Sequence, residues 1–256
     1  SMCLIALAAD YVRLGLHVLY ISLEMREEMV PQRLDANLLN VPANEIVNLG
    51  RDRFMSGIEA IKQKSYGRFK VKEYPPASAS ALHFDRLLDD YAMMHNFVPD
   101  VVCIDYIQIT SSYKMTNAVG SYYYYKSVAE ELRSIAVRRD LCMWTVSQFN
   151  RGGMDNSDPS MSDIGESMGI PATADGMWAV IRSEELDQIG QISWKHLKSR
   201  YANKAVRQSF LTGIDVDRQQ LFSVEARGDV AVRQSPAMKS SNPGDKFAKM
   251  KFAPPQ

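Results

Sequence analysis

Four places in this sequence set a polar residue where an apolar run stops. VVCI, from Val101 to Ile104, is followed by Asp105; YISL leads into Glu24; TVS leads into Gln148; and KHLKSRY holds Lys198 and Arg200 two apart. In open α/β sheets ligands bind outside the carboxyl ends of the strands. A carboxylate there can hold a nucleotide-bound Mg2+, directly or through water. Asp105 suits that task, and equally it could cap a turn. Glu24 at a neighbouring strand end could orient or deprotonate an attacking water, although alone it reads as an ordinary charge at a strand terminus. The Gln148 amide could hydrogen-bond a terminal phosphate. Residues two apart on a strand share a face, so Lys198 and Arg200 would offer two cations to phosphate, the arginine bidentately. A solvated strand end is the plainer reading of Gln148 and of the Lys–Arg pair.

This chemistry needs strands to position it. His17–Leu23 and Val101–Ile109 read as buried strands, and residues 142–148, CMWTVSQ, as a third. A short strand is predicted near Phe69–Tyr74, and four more over residues 177–183, 191–200, 209–216 and 221–226. Helices are predicted from Met2 to a stop at Gly15, over Glu27–Asn40 with Pro31 confined to the start or a kink, near Phe54–Gln63, over Leu82–His95 and over Tyr122–Arg139. Residues 110–121 and 151–163 read as polar loops. Alternating strands and helices followed by clustered strands predict an α/β fold, mostly a parallel sheet with an antiparallel extension. From about residue 227 the chain turns polar and reads as a flexible basic tail, 227–256.

Composition narrows the class. The 256 residues are 46% hydrophobic and 23% charged, with Lys+Arg 30 against Asp+Glu 30. That excludes a wholly disordered chain, a collagen and a disulfide scaffold. Zero net charge neither announces nor excludes nucleic acid, because a local patch suffices. Cys3, Cys103 and Cys142 lie far apart in apolar runs without C-x-x-C spacing, which predicts buried reduced thiols in a cytosolic protein. No apolar run approaches the roughly 20 residues that span a bilayer.

Each signal is weak alone, but their order is specific. LAADYVRLG leading into VLYISLEM, NFVPDVVCIDY, VAEELRSIAV, SDIGES with PATAD, and KSRY together resemble the RecA-like core of the DnaB-type hexameric replicative helicases. The likeness runs from Ser1 to about Val224 and is nearest to the helicases of large tailed phages. It implies a RecA-like P-loop NTPase core over residues 1–226 from which the first strand and the phosphate loop are missing. It also implies ATP and Mg2+ as cofactors and 5′-to-3′ translocation on single-stranded DNA. A homo-hexamer, a primase and a helicase loader would be its partners, in the cytoplasm of a host cell.

Carried over by residue, the resemblance makes Ser1 the Mg2+-coordinating hydroxyl, Asp105 the Walker B carboxylate and Glu24 the catalytic base. Gln148 would sense the γ-phosphate. Arg200 would be the arginine finger, with Lys198 beside it, both reaching the neighbouring subunit's site. Arg33 matches a family position without an assigned role. DNA contact is implied for loops 110–121 and 149–169, through Lys114, Arg151, Glu166 and Ser167. Gly165 stands where the family has an arginine and Met168 where it has a glycine, so side-chain contact at that turn is in doubt. The Tyr122–Tyr125 run covers all sides of a helix, so packing is the expected role of most of it. Two other readings stay open: a RecA-type recombinase or clamp ATPase, and a non-catalytic interaction module lacking a phosphate loop.

Overall fold

The computed structural model describes residues 1–116, 118, 120–150, 158–164, 168–201 and 209–224. In chain order its elements are α1 (Met2–Arg13), β1 (Val18–Ser22), α2 (Met29–Leu39), α3 (Arg51–Lys62), β2 (Phe69–Glu73), α4 (Ala81–His95), β3 (Val101–Asp105), α5 (Ser121–Arg138), β4 (Cys142–Thr145), α6 (Gly169–Thr173), β5 (Gly176–Ile181), α7 (Glu184–Gln188), β6 (Gln191–Ser199), β7 (Ser209–Asp215) and β8 (Gln220–Ser223). Residues Ser1–Ser223 form one compact unit. The expected tail, 227–256, lies outside the described residues.

β1 and β3 are buried at every position, because each packs on both faces. They pair in parallel at the centre of a four-stranded sheet of order β2-β1-β3-β4. Alternation sends Leu19, Ile21, Val102 and Ile104 to one side, against Phe84, Leu87 and Leu88 of α4 and Val128, Leu132 and Ile135 of α5. Val18, Tyr20, Val101 and Cys103 face the other side, against Leu4, Ile5, Ala8 and Val12 of α1 and Val30 and Leu34 of α2. Pro31 falls in the first turn of α2, where a missing N–H costs nothing. Gly15 ends α1 at φ +87°, a left-handed conformation that L side chains resist.

The remaining strands form their own antiparallel sheet, β5-β6-β7-β8, rather than an extension of the first. Trp144 of β4 meets Trp178 of β5 with ring centroids 5.9 Å apart, so side chains link facing edges that no described backbone pairing joins. The second sheet is also tied to α2: the Asn37 amide donates to the Gln219 carbonyl and the Gln220 amide donates to the Asn37 carbonyl.

Two strands are shorter than the apolar runs suggest. The run to Ile109 stops being a strand at Asp105, and Ile107–Ile109 forms a 3-10 turn. Likewise β4 ends at Thr145, not at residue 148. In both places the chain leaves the sheet and finds partners in loops: Ile107 N–H donates to the Val146 carbonyl. Of the cysteines, only Cys103 is buried; Cys3 is half-buried and Cys142 exposed at the start of β4, the edge strand of its sheet. Tyr124 and Tyr125 pack against the core, while Tyr122 and Tyr123 remain exposed.

Candidate functional site

Parallel register sets Ser22 opposite Asp105 at the carboxyl end of the sheet. Asp105 is 1% exposed. Its Oδ2 accepts the Tyr20 hydroxyl at 2.8 Å, while Oδ1, also buried, has no hydrogen-bond partner. An ionised carboxylate half satisfied in the interior is costly. A cation seated against Oδ1 removes that cost, and Mg2+ is held in nucleotide sites by one or two carboxylates completed by phosphates and water. No group of three or more His, Cys, Asp or Glu side chains that could hold a metal occurs among the described residues. A single buried carboxylate fits a phosphate-bound Mg2+, whose remaining ligands are phosphate and water.

Burial first, and then the Asp105 carboxylate, push the Tyr20 hydroxyl far above its usual range, with Arg33 acting in the opposite sense. Tyr20 therefore stays a neutral donor to Asp105. Tyr20→Phe leaves both carboxylate oxygens unpartnered and should cost about 1.5–3 kcal/mol, the usual worth of a hydrogen bond to a charged group. Urea unfolding should show a lowered midpoint at unchanged m-value; an unmoved midpoint would mean that Asp105 does not depend on this bond.

Two residues past β1, Glu24 is exposed on a turn closed by Ser22. The Ser22 hydroxyl donates to the Met25 carbonyl at 2.6 Å and accepts the Met25 N–H at 2.9 Å. Leu23 N–H donates to the Asp105 carbonyl at 2.8 Å, fastening this turn to the end of β3. After burial itself, Glu24 and then Asp105 raise the Tyr106 hydroxyl, so both carboxylates act on one spot.

Ser1 caps α1 without a side-chain bond to the helix. Only Leu14–His17 connect α1 to β1, so the helix runs back along the strand. Its 12 residues span about 18 Å, close to the roughly 17 Å of a five-residue strand. That length brings Ser1 to the carboxyl end of the sheet. Asp105 and Tyr20 face the same side of the sheet as α1 and α2, and Arg33 belongs to α2.

Gln148 is exposed, three residues beyond β4. Its carbonyl accepts the Gln108 side-chain amide at 3.4 Å, and the same Nε2 donates to the Ser147 hydroxyl at 2.8 Å. Gln108 thus links the exits of β3 and β4. Nothing in the sequence reading singled it out; the one available signal was a polar residue inside an otherwise apolar IQI run. Tyr20 reads by type as core of a buried strand, and only its hydroxyl bond to Asp105 gives it a part in the site.

Lys198 lies in β6, whereas Arg200 falls one residue past its end at Ser199, so the two do not share a strand face as the spacing predicts, yet both side chains reach the same helix. Lys198 Nζ donates to the Pro171 and Ala172 carbonyls at 2.5 and 3.0 Å. Arg200 Nη2 donates to the Thr173 carbonyl at 3.2 Å, and its Nε pairs with Asp175 at 2.7 Å. Both cations therefore lie along the carboxyl end of α6 in their own chain. Asp175 also pairs with Arg133 of α5 at 3.2 Å. Lys114 is exposed, with its ammonium 5.3 Å from the Tyr113 ring centroid. Arg151, Gly165, Glu166 and Ser167 lie outside the described residues. No helix among the described residues is long and apolar enough to cross a membrane.

Comparison with known proteins fits this layout. Residues 2–210 match the model of the family described as "DnaB-like helicase C terminal domain". The chain is 41% identical over 229 residues to a "DnaB-like replicative helicase" of Enterobacteria phage T4, covering 88% of this chain and 48% of that protein. It thus spans about half the length of the curated relative it matches. Among solved structures, one described as "The Structure Of A DnaB-Like Replicative Helicase And Its Interactions With Primase" superposes with a TM-score of 0.69 at 17% identity, over 87% of this chain and 55% of that one. Another, described as an "ATPase Domain", superposes with a TM-score of 0.67 at 18% identity, over 88% of this chain and 81% of that one. These two likenesses establish the same α/β fold, and the family match over most of the sequence makes this chain a member of the DnaB-like helicase C-terminal domain family.

Proposed function

We propose that this chain is the ATP-hydrolysing core of a replicative DNA helicase that moves 5′ to 3′ on single-stranded DNA and opens duplex at the fork. The observation that carries the reading is the unpartnered, buried Oδ1 of Asp105 at the carboxyl end of the parallel sheet. Mg2+ held there would neutralise phosphate charge as the terminal phosphoryl group is transferred. The chain's own groups supply the rest. Tyr20 holds the carboxylate through Oδ2, and the Ser1 hydroxyl would be a further ligand of the cation. Glu24, exposed on its turn, takes the proton of the attacking water at its carboxylate. Gln108 fixes the backbone at Gln148, whose side chain meets the terminal phosphate. Arg33 adds positive charge beside Asp105.

Arg200, with Lys198 beside it, would serve the site of the next subunit in a homo-hexamer. Single-stranded DNA would meet loops 110–121 and 149–169, with Lys114 and Arg151 on phosphate and Glu166 and Ser167 at the turn. Residues 1–226 would form the working core and 227–256 a separate basic tail. Primase and a helicase loader are the expected protein partners, in the host-cell cytoplasm.

The 256 residues contain no G-x-x-x-x-G-K-[ST] run, the segment whose backbone N–H groups and lysine cradle phosphates. The polypeptide by itself should therefore release no phosphate from ATP above background, even with single-stranded DNA. Joined behind such a segment, it should form hexamers, hydrolyse ATP faster when DNA is added, and unwind a fork bearing a 5′ tail. Phosphate release by the 256 residues alone would remove the dependence on that loop. Hexamers that bind ATP yet neither hydrolyse it nor unwind would favour the non-catalytic interaction module.

A further inference from the structure

Two adjacent glutamates of α5 have opposite fates. Glu130 is exposed and pairs with Lys126 at 3.7 Å. Glu131 is 1% exposed, and three neutral donors hold it: the Ser112 hydroxyl at 2.5 Å, the Ser127 hydroxyl at 3.0 Å and the Tyr113 N–H at 3.2 Å. A buried carboxylate is tolerated only when its oxygens are satisfied, and donors to a charged acceptor make short, strong bonds.

Ser112 passes this restraint onward. With its proton committed to Glu131, its oxygen accepts the N–H groups of Lys114 at 3.1 Å and Met115 at 3.0 Å. Its own N–H donates to the Tyr124 hydroxyl at 3.2 Å. Turn 112–115 is thereby fastened to α5 by one carboxylate and one phenol. The turn has little burial of its own, since Tyr113 and Met115 are 50% and 40% exposed. Its shape therefore depends on Glu131. Lys114 stands exposed within it.

We propose that Glu131, acting through Ser112, is a positioning residue for single-stranded DNA: it sets the 112–115 turn so that Lys114 meets a backbone phosphate. This rests on the reading of loop 110–121 as a DNA contact. Fixing the turn before binding spares the ordering cost that a mobile loop would incur.

The test is binding of fluorescein-labelled oligo-dT to hexamers of the chain joined behind a G-x-x-x-x-G-K-[ST] segment, followed by anisotropy over a range of salt concentrations. Each phosphate contact to a single strand contributes about 0.7 to the slope of log K against log salt, hence about eightfold in affinity near ~50 mM. Lys114→Ala should lose that much affinity and slope. Ser112→Ala should lose the same, and Ser112→Thr, which keeps the hydroxyl, should recover it. Glu131→Gln turns an amide donor toward Ser112 or the Tyr113 N–H and should behave like Ser112→Ala. Adding Lys114→Ala to either variant should cost nothing more. Losses that multiply, with Lys114→Ala effective alone, overturn the positioning role and leave the DNA reading standing. Lys114→Ala with wild-type affinity and slope, or a wild-type chain that fails to bind, overturns both. If circular dichroism shows Glu131→Gln unfolded, the Ser112 pair carries the test.

Discussion

Arg200→Ala should slow ATP hydrolysis by an assembled ring roughly 10³–10⁵-fold, the range an arginine finger commands in other NTPases, and the loss should act on the neighbouring subunit. In its own chain the guanidinium is held by Nε on Asp175 and by Nη2 on the Thr173 carbonyl. Neither bond uses Nη1, and the side chain remains 42% exposed. A planar fork fixed at two nitrogens and open at the third is oriented in advance for an incoming phosphate. The Asp175 pair is a surface ion pair, which contributes about 0–1 kcal/mol, so the variant should fold and assemble normally. Mixing separates trans from cis action. Arg200→Ala subunits keep an intact Glu24 site, and Glu24→Gln subunits keep an intact Arg200. A finger acting across the interface lets some mixed interfaces recover activity that neither parent shows. No recovery at any ratio, with hexamers confirmed by mass, would return Arg200 to its own subunit as a cis or structural residue.

Glu24→Gln should lower turnover about 10²–10⁴-fold, the span attributed to a general base, while ATP affinity stays close to wild type. The amide has the shape of the carboxylate but cannot accept the proton of water. Glu24 is exposed on a turn held by the Ser22–Met25 bonds, so the substitution removes no packing. Fluorescent-nucleotide binding and steady-state turnover, measured in hexamers that carry a phosphate loop, check the two halves separately. Turnover near wild type would move the base to another group. Lost nucleotide binding would make Glu24 part of the binding surface.

Much of the candidate site was legible because burial is written in runs of apolar residues. VLYIS and VVCID each place five buried residues in a strand, and the apolar runs marked where these strands lie, though not where β3 ends. Helical spacing puts Val128, Leu132, Ile135 and Ala136 on one stripe of α5, and the first three are buried while Ala136 is half-buried. The same rule misled where apolar residues continue past the sheet. Ile107 is buried but sits in a 3-10 turn, and Val146 and Ser147 follow β4 without joining it. Hydrophobicity records burial and not the hydrogen-bond pattern that defines a strand.

The glutamates of VAEELRS mark the other limit. Side by side in sequence, they look like the solvated face of a helix, and Glu130 is that. Glu131 faces inward because Ser112, from a loop 19 residues away, brings it a donor. Tyr20 is likewise a core residue by type and a carboxylate ligand only because Asp105, 85 residues on, lies beside it.

By itself the amino-acid order determined the family, the α/β class with its mostly parallel sheet, and the apolar runs that Glu24 and Asp105 follow. Those follow from local apolar patterning and from motifs whose spacing is contained within single elements. Tertiary structure alone decided that the C-terminal strands form a separate sheet, that Asp105 keeps one oxygen open while Tyr20 takes the other, and that Glu131 is buried rather than solvated. It also decided that Lys198 and Arg200 lie along the end of α6. Each of these depends on whether a polar group finds its partner on a distant segment. That pairing is settled by how the layers stack, which no local run of residues encodes.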